Sequence, residues 1–105
     1  MVIRYLVILA ASFVLAGNTF AENGEALAKS NNCLTCHAID KKVLGPSFKD
    51  IAAKYRNDKG AQAALEKKVR SGGAGVWDKM PMPATAMSVS DGDIKSIVQW
   101  VLSLK

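Results

Sequence analysis

Cys33, Cys36 and His37 fall in one short run, Cys33-Leu34-Thr35-Cys36-His37, in a chain that holds only 2 Cys and 1 His. Two thiols three residues apart can reach two vinyl groups on one edge of a porphyrin. An imidazole on the next residue can then project under the ring centre. This is the Cys-x-x-Cys-His spacing of c-type haem attachment. Nε2 of His37 would bind the iron, leaving the other ring nitrogen to donate a hydrogen bond. Scattering for packing alone would not gather these three side chains in one place. Two other uses compete. A Cys33–Cys36 disulfide belongs to thioredoxin-like proteins with alternating strands and helices, and this chain shows no such alternation. A closed structural zinc site needs four ligands, and no further Cys or His follows.

A sixth iron ligand must come from elsewhere, and with a single His it cannot be a second imidazole of this chain. Met80, Met82 and Met87 crowd the segment after Trp77. A thioether is a soft donor that raises the potential of a haem iron. Met82 lies between Pro81 and Pro83, whose fixed φ angles make a stiff, extended arm. Met82 is therefore the expected ligand, with Met80 and Met87 expected to fill the core. The alternative is an open sixth position that binds gas or peroxide.

Four helices are expected to position these groups, making the chain all-α with long loops. The first spans about 22–30, with Ala26, Leu27 and Ala28 as its apolar part. The second spans about 48–56, where Phe48, Ile51, Ala52 and Tyr55 recur at helical spacing. The third spans about 61–70, with Ala61, Leu65 and Val69 on one side, and Gly72, Gly73 and Gly75 end it. The fourth begins at a Ser90 cap with Asp93 three residues later. Its buried stripe is Ile94, Ile97, Val98, Val101 and Leu104, with Trp100 on the flank. Two irregular segments remain, 38–47 and 71–89. A loop as long as the second is usually functional in so small a domain. Phe48, Ile51, Leu65, Val69, Ile94 and Val98 are expected to keep water from the bound group.

At 105 residues the chain has room for one domain, and 50% hydrophobic residues argue against disorder. Residues 1–21 read as a signal peptide cleaved after Ala21. Arg4 supplies positive charge, an apolar run ends at Ala16, and Thr19-Phe20-Ala21 places small residues before the cut. The run is short for a membrane span, which takes about 20 apolar residues. The mature domain is thus 22–105, exported to the periplasm and without stable membrane insertion. Domains of this size usually need a cofactor or cross-link to hold together. The net charge of +5 comes without a basic run, so an acidic partner is favoured over nucleic acid. Lys29, Lys41, Lys42, Lys49 and Lys79 could steer such a partner or serve solubility alone.

Beyond the haem motif, Leu44-Gly45-Pro46, Gly75-Val76-Trp77, Pro81-Met82-Pro83 and Trp100-Val101-Leu102-Ser103-Leu104-Lys105 follow in order. Together these segments resemble the small bacterial class I cytochromes c of the c-551/c-552 type. The resemblance implies the class I cytochrome c fold around one covalent haem c. It implies a monomeric, non-enzymatic electron carrier that docks transiently on respiratory redox proteins such as a nitrite reductase, terminal oxidase or peroxidase. Cys33 and Cys36 would form thioethers, and His37 and Met82 would be the axial ligands. The Pro46 carbonyl would accept from His37 Nδ1, and Trp77 and Lys68 would bind a haem propionate, with Lys67 and Arg70 as neighbouring candidates. The first and last helices would cross. Two positions depart from the family pattern. Ala28 replaces a large aromatic at that crossing, and Thr85 stands where some relatives have an Asn bonded to the Met sulfur.

Overall fold

The computed structural model describes residues 19–77 and 79–105, with side chains in the first helix from Asn23 onward. Apart from the backbone of 19–21, the expected signal peptide lies outside the described residues. Four α-helices form: α1 (Thr19–Ser30), α2 (Phe48–Lys54), α3 (Ala61–Ser71) and α4 (Asp91–Ser103). A single 3-10 turn, Cys33–Thr35, lies between α1 and α2. Among the described residues there is no strand, and no helix is long and apolar enough to cross a membrane.

The helix ends follow from local chemistry. Ser47 and Ser90 cap α2 and α4, their hydroxyls accepting from the amides of Asp50 and Asp93 at 3.0 and 3.1 Å. Such caps satisfy amides that a helix start leaves without partners. Asp58 accepts from the Gly60 amide at 2.8 Å just before α3. Asn32 turns the chain out of α1 with φ of 63°, a left-handed conformation that Asn tolerates better than most side chains. α2 stops at Lys54, two residues short of expectation, and Tyr55 forms its C-terminal cap.

α4 packs against α1, α2 and α3. The centre of the core is Ala28, Phe48, Ile97, Trp100 and Val101, with Leu27, Leu34 and Ile39 against it. Trp100, expected on the flank of α4, is only 5% exposed and packs edge-on to Phe48 at 5.3 Å. Ala26, expected in the apolar part of α1, is exposed instead. The true inner positions of α1 are Gly24 and Ala28, one helical turn apart. A Cβ on Gly24 would sit 2.3 Å from Trp100 Cβ and 2.5 Å from the Ser96 carbonyl oxygen. The two helices therefore touch backbone to backbone. With Ala28 fully buried against it, Trp100 supplies the bulk that an aromatic on α1 would otherwise provide.

Candidate functional site

His37 follows directly from the 3-10 turn, its amide donating to the Cys33 carbonyl at 3.0 Å. Segment 38–47 then folds back over the imidazole. The Gly45 amide donates to the Cys36 carbonyl at 2.7 Å, and the Phe48 amide to that of Ala38 at 2.9 Å. This return places the Pro46 carbonyl 2.7 Å from His37 Nδ1. Nδ1 donates there, which leaves Nε2 as the nitrogen with a free lone pair. Phe48 stacks on the imidazole at 5.1 Å between ring centres, and in turn contacts Trp100. Gly45 lies against the same ring, where an added Cβ would come within 2.6 Å of Cε1. The ring orientation is thus held by a hydrogen bond, a stacked aromatic and a close backbone.

Met82 is held by different means. Pro81 and Pro83 have no N–H, so Met82 carries the one amide proton of that tripeptide. It donates to the Gly73 carbonyl at 2.8 Å, and the Gly73 amide returns a bond to the Met82 carbonyl at 3.0 Å. Gly72 makes the approach possible. Its φ is 70°, and a Cβ there would lie 2.4 Å from the Met82 carbonyl oxygen. Three residues on, Thr85 docks on α3, its amide and hydroxyl both donating to the Val69 carbonyl at 3.2 and 2.7 Å. A hydroxyl has one proton, so Thr85 has none for the Met82 sulfur. At this departure from the family pattern the side chain therefore serves α3 instead of the sulfur.

These two assemblies meet around a cavity of about 350 Å³. Cys33, Cys36, His37, Pro46, Lys68, Trp77 and Met82 all line it. Its remaining walls are largely apolar, with Phe48, Ile51, Leu65, Val69 and Val98 among them. Ile94, expected to shield the same space, is buried elsewhere, while Ile97 and Val101 line the cavity. Both cysteines are free thiols, and burial pushes the Cys33 thiol above its ordinary pKa. Among the described residues no group of three or more His, Cys, Asp or Glu gathers to hold a metal ion.

Of the cations at the end of α3, Lys68 alone lines the cavity. Lys67 is exposed, and Arg70 is engaged with Asp91 and the carbonyls of Ala86 and Val89. Trp77 is 43% exposed at the rim, with the Lys54 ammonium 5.4 Å above its ring. Met80 and Met87 do not fill the core as expected, being 54% and 82% exposed. Met80 lines the cavity mouth, and Met87 lies with its sulfur 3.8 Å from Arg70. Lys29 pairs with Glu25 one turn earlier at 3.3 Å, which reduces its availability to a partner.

The donor set fits a covalently attached haem. Two free thiols sit beside a histidine whose Nδ1 is held by the Pro46 carbonyl, a thioether is fixed by its backbone, and the walls are apolar. Sequence reasoning overlooked Gly24, the packing of Gly45 on the imidazole, Lys54 and the role of Arg70. The signal for Gly24 was its one-turn spacing from Ala28.

Comparison with known proteins gives the same direction. The family model described as Cytochrome c matches residues 21–105. Cytochrome c-551 of Pseudomonas aeruginosa is 44% identical over 95% of this chain and 94% of its own length. Cytochrome c-552 of Nitrosomonas europaea is 44% identical over 91% of this chain and 90% of its own. The crystal structure of wild-type Nitrosomonas europaea cytochrome c552 superposes with a TM-score of 0.72. At 47% identity, the match covers 77% of this chain and 99% of that one.

Proposed function

Because this chain belongs to the cytochrome c family, with its class I fold and one covalent haem c, we propose that it is a periplasmic carrier exchanging single electrons between respiratory redox proteins. Electron carriage itself follows from its c-551 and c-552 relatives. The periplasmic setting, the partner classes and the absence of catalysis are our reading. The carrying observation is that His37 and Met82 line one cavity, each fixed by its own backbone contacts.

Haem c, when bound, supplies a one-electron ferric/ferrous couple. Cys33 and Cys36 would hold the group by thioethers, each S–H adding across a vinyl double bond, with sulfur on one carbon and hydrogen on the other. His37 Nε2 and the Met82 sulfur would be the two protein donors to its iron, and with both bound the iron would have no place for a substrate. Pro46 accepts from Nδ1 and strengthens the imidazole as a donor. Phe48, Ile51, Leu65, Val69 and Val98 keep water out, which limits the reorganisation that accompanies a change of charge. Trp77 and Lys68, both lining the cavity, would bind a propionate. The N-terminal 21 residues direct export and are removed.

Docking is brief, on the exposed rim that includes Leu44, Val76, Trp77 and Met80. Contacts of this kind are small and transient. Lys41 and Lys42 are exposed on the loop over His37, and Lys42 lines the cavity. Such cations raise the on-rate toward an acidic partner at low salt. The monomer suffices for this role.

Visible spectra of the exported protein, with and without carbon monoxide, test the reading. A low-spin ferrous spectrum, a weak far-red ferric band from a Met sulfur and slow carbon monoxide uptake are expected. Met82→Ala should lose the far-red band, take up carbon monoxide promptly and show a lowered potential. A parent protein with a high-spin ferric spectrum and prompt uptake would overturn the carrier reading in favour of an enzyme or sensor.

A further inference from the structure

The loop that carries Met82 leaves α3 at Gly72 and returns to α4 at Ser90. Its first half is tied down by the Gly73–Met82 pair and by Thr85 on Val69. The second half meets α3 through one side chain. Arg70 donates from Nη1 to the Ala86 carbonyl at 3.1 Å, and from Nη2 to the Val89 carbonyl at 2.6 Å and to Asp91 Oδ1 at 2.7 Å. We propose that Arg70 is a positioning residue that latches this loop, and that its grip on 86–91 sets how readily Met82 leaves the iron. The proposal rests on Met82 being the axial ligand.

Three features support a latch rather than a surface ion pair. The Arg70 side chain is 20% exposed, and its 2.6 Å bond to the Val89 carbonyl is half-buried, whereas that to Ala86 is open to solvent. Asp91 is 94% exposed, and an ion pair so open to solvent contributes little. The grip therefore lies in the guanidinium fork and the carbonyls, and hydrogen bonds from a charged donor are the stronger kind. A lysine ammonium is a compact point charge without that planar fork. Arg70 also stays out of the cavity, while its neighbour Val69 lines it and receives Thr85. The last turn of α3 thus presents one face to the bound group and another to the loop. Releasing 86–91 would lengthen the free span between Thr85 and α4 and leave the Thr85–Val69 bonds as the last tie holding the Met82 arm to α3 ahead of α4, without touching any cavity wall.

The test compares the haem-loaded parent with Arg70→Lys, Arg70→Ala and Asp91→Asn. The far-red ferric band is followed against denaturant beside the far-ultraviolet helix signal, and carbon monoxide uptake by the ferrous form is timed. Both Arg70 variants should lose the band while the helices persist, and their uptake should rise about tenfold or more, tenfold being the effect of one lost charge-assisted bond. Asp91→Asn should behave as the parent does. If Arg70→Ala does not load haem, Arg70→Lys carries the same reading. Loss of the band only together with the helices, at unchanged uptake, would show a purely structural role and overturn the proposal. So would an Asp91→Asn effect equal to that of Arg70→Ala, which would place the grip in the ion pair. A far-red band absent from the parent would instead overturn the Met82 assignment, and the latch with it. Amide exchange at Met82 and Thr85, faster in both Arg70 variants than in the parent, is the expected signature in the chain itself.

Discussion

Met82 and Gly73 exchange both of their backbone hydrogen bonds, at 2.8 and 3.0 Å, so the Met82 side chain projects from a pinned backbone. The neighbouring Gly72, with its positive φ, lets the Met82 carbonyl approach where a side chain would stand.

Gly72→Ala should therefore disturb the ligand loop. The new Cβ would meet three backbone atoms within 2.9 Å, in a conformation that costs about 1–3 kcal/mol for a residue other than glycine. A thermal melt and the far-red band check this together. An alanine variant as stable as the parent, with its band intact, would show that the loop can shift aside.

Gly45→Ala acts on the other ligand. Its Cβ would press on Cε1 of His37 and tilt the ring away from Pro46. Weakening that bond makes the imidazole a poorer donor and disfavours the ferric state. The potential should rise, by an amount on the order of tens of millivolts. Voltammetry decides the sign, and a fall in potential would contradict the argument.

Lys68 and Lys67 separate the cavity-facing cation from its solvent-facing neighbour. A positive charge at the cavity wall disfavours ferric iron, so Lys68→Gln should lower the potential, on the order of tens of millivolts at low salt. Lys67→Gln should leave it nearly unchanged. Equal shifts in the two variants would remove Lys68 from its proposed place beside a propionate.

Gly24→Ala sets two effects against each other. Helix propensity alone favours alanine by about 1 kcal/mol. The contact with Trp100 and Ser96 makes the same methyl an overpacking change that costs about 1–3 kcal/mol. Destabilisation on chemical denaturation is expected, and a stabilised variant would mean that the crossing is looser than these distances imply.

The comparison between sequence and structure turns on how local each signal is. Ser90 before Asp93 and the apolar stripe of α4 are contiguous patterns, and the observed helix follows them. The Cys33–His37 motif was readable because its chemistry and spacing are local. Trp100 and Ala26 were misplaced because a helical stripe gives direction only to within a residue or so. What decided them was the neighbour, a glycine that allowed α1 to come close. Arg70 looked like one of several basic residues, and its partners lie 16 to 21 positions downstream. Thr85 was legible as a departure from the family pattern, but the carbonyl that takes its proton lies 16 residues upstream and was not.

His37 and Met82 line one cavity although about 45 residues of chain separate them, and the proposed ligation of one iron by both would close that span into a ring. Closing a loop of that length removes about 4 kcal/mol of entropy from the unfolded ensemble, comparable to a disulfide. Unlike a disulfide, this closure depends on the electron the protein carries, because a thioether favours ferrous over ferric iron. Resistance to unfolding should thus differ between the two oxidation states, the electron-loaded form being harder to unravel than the emptied one.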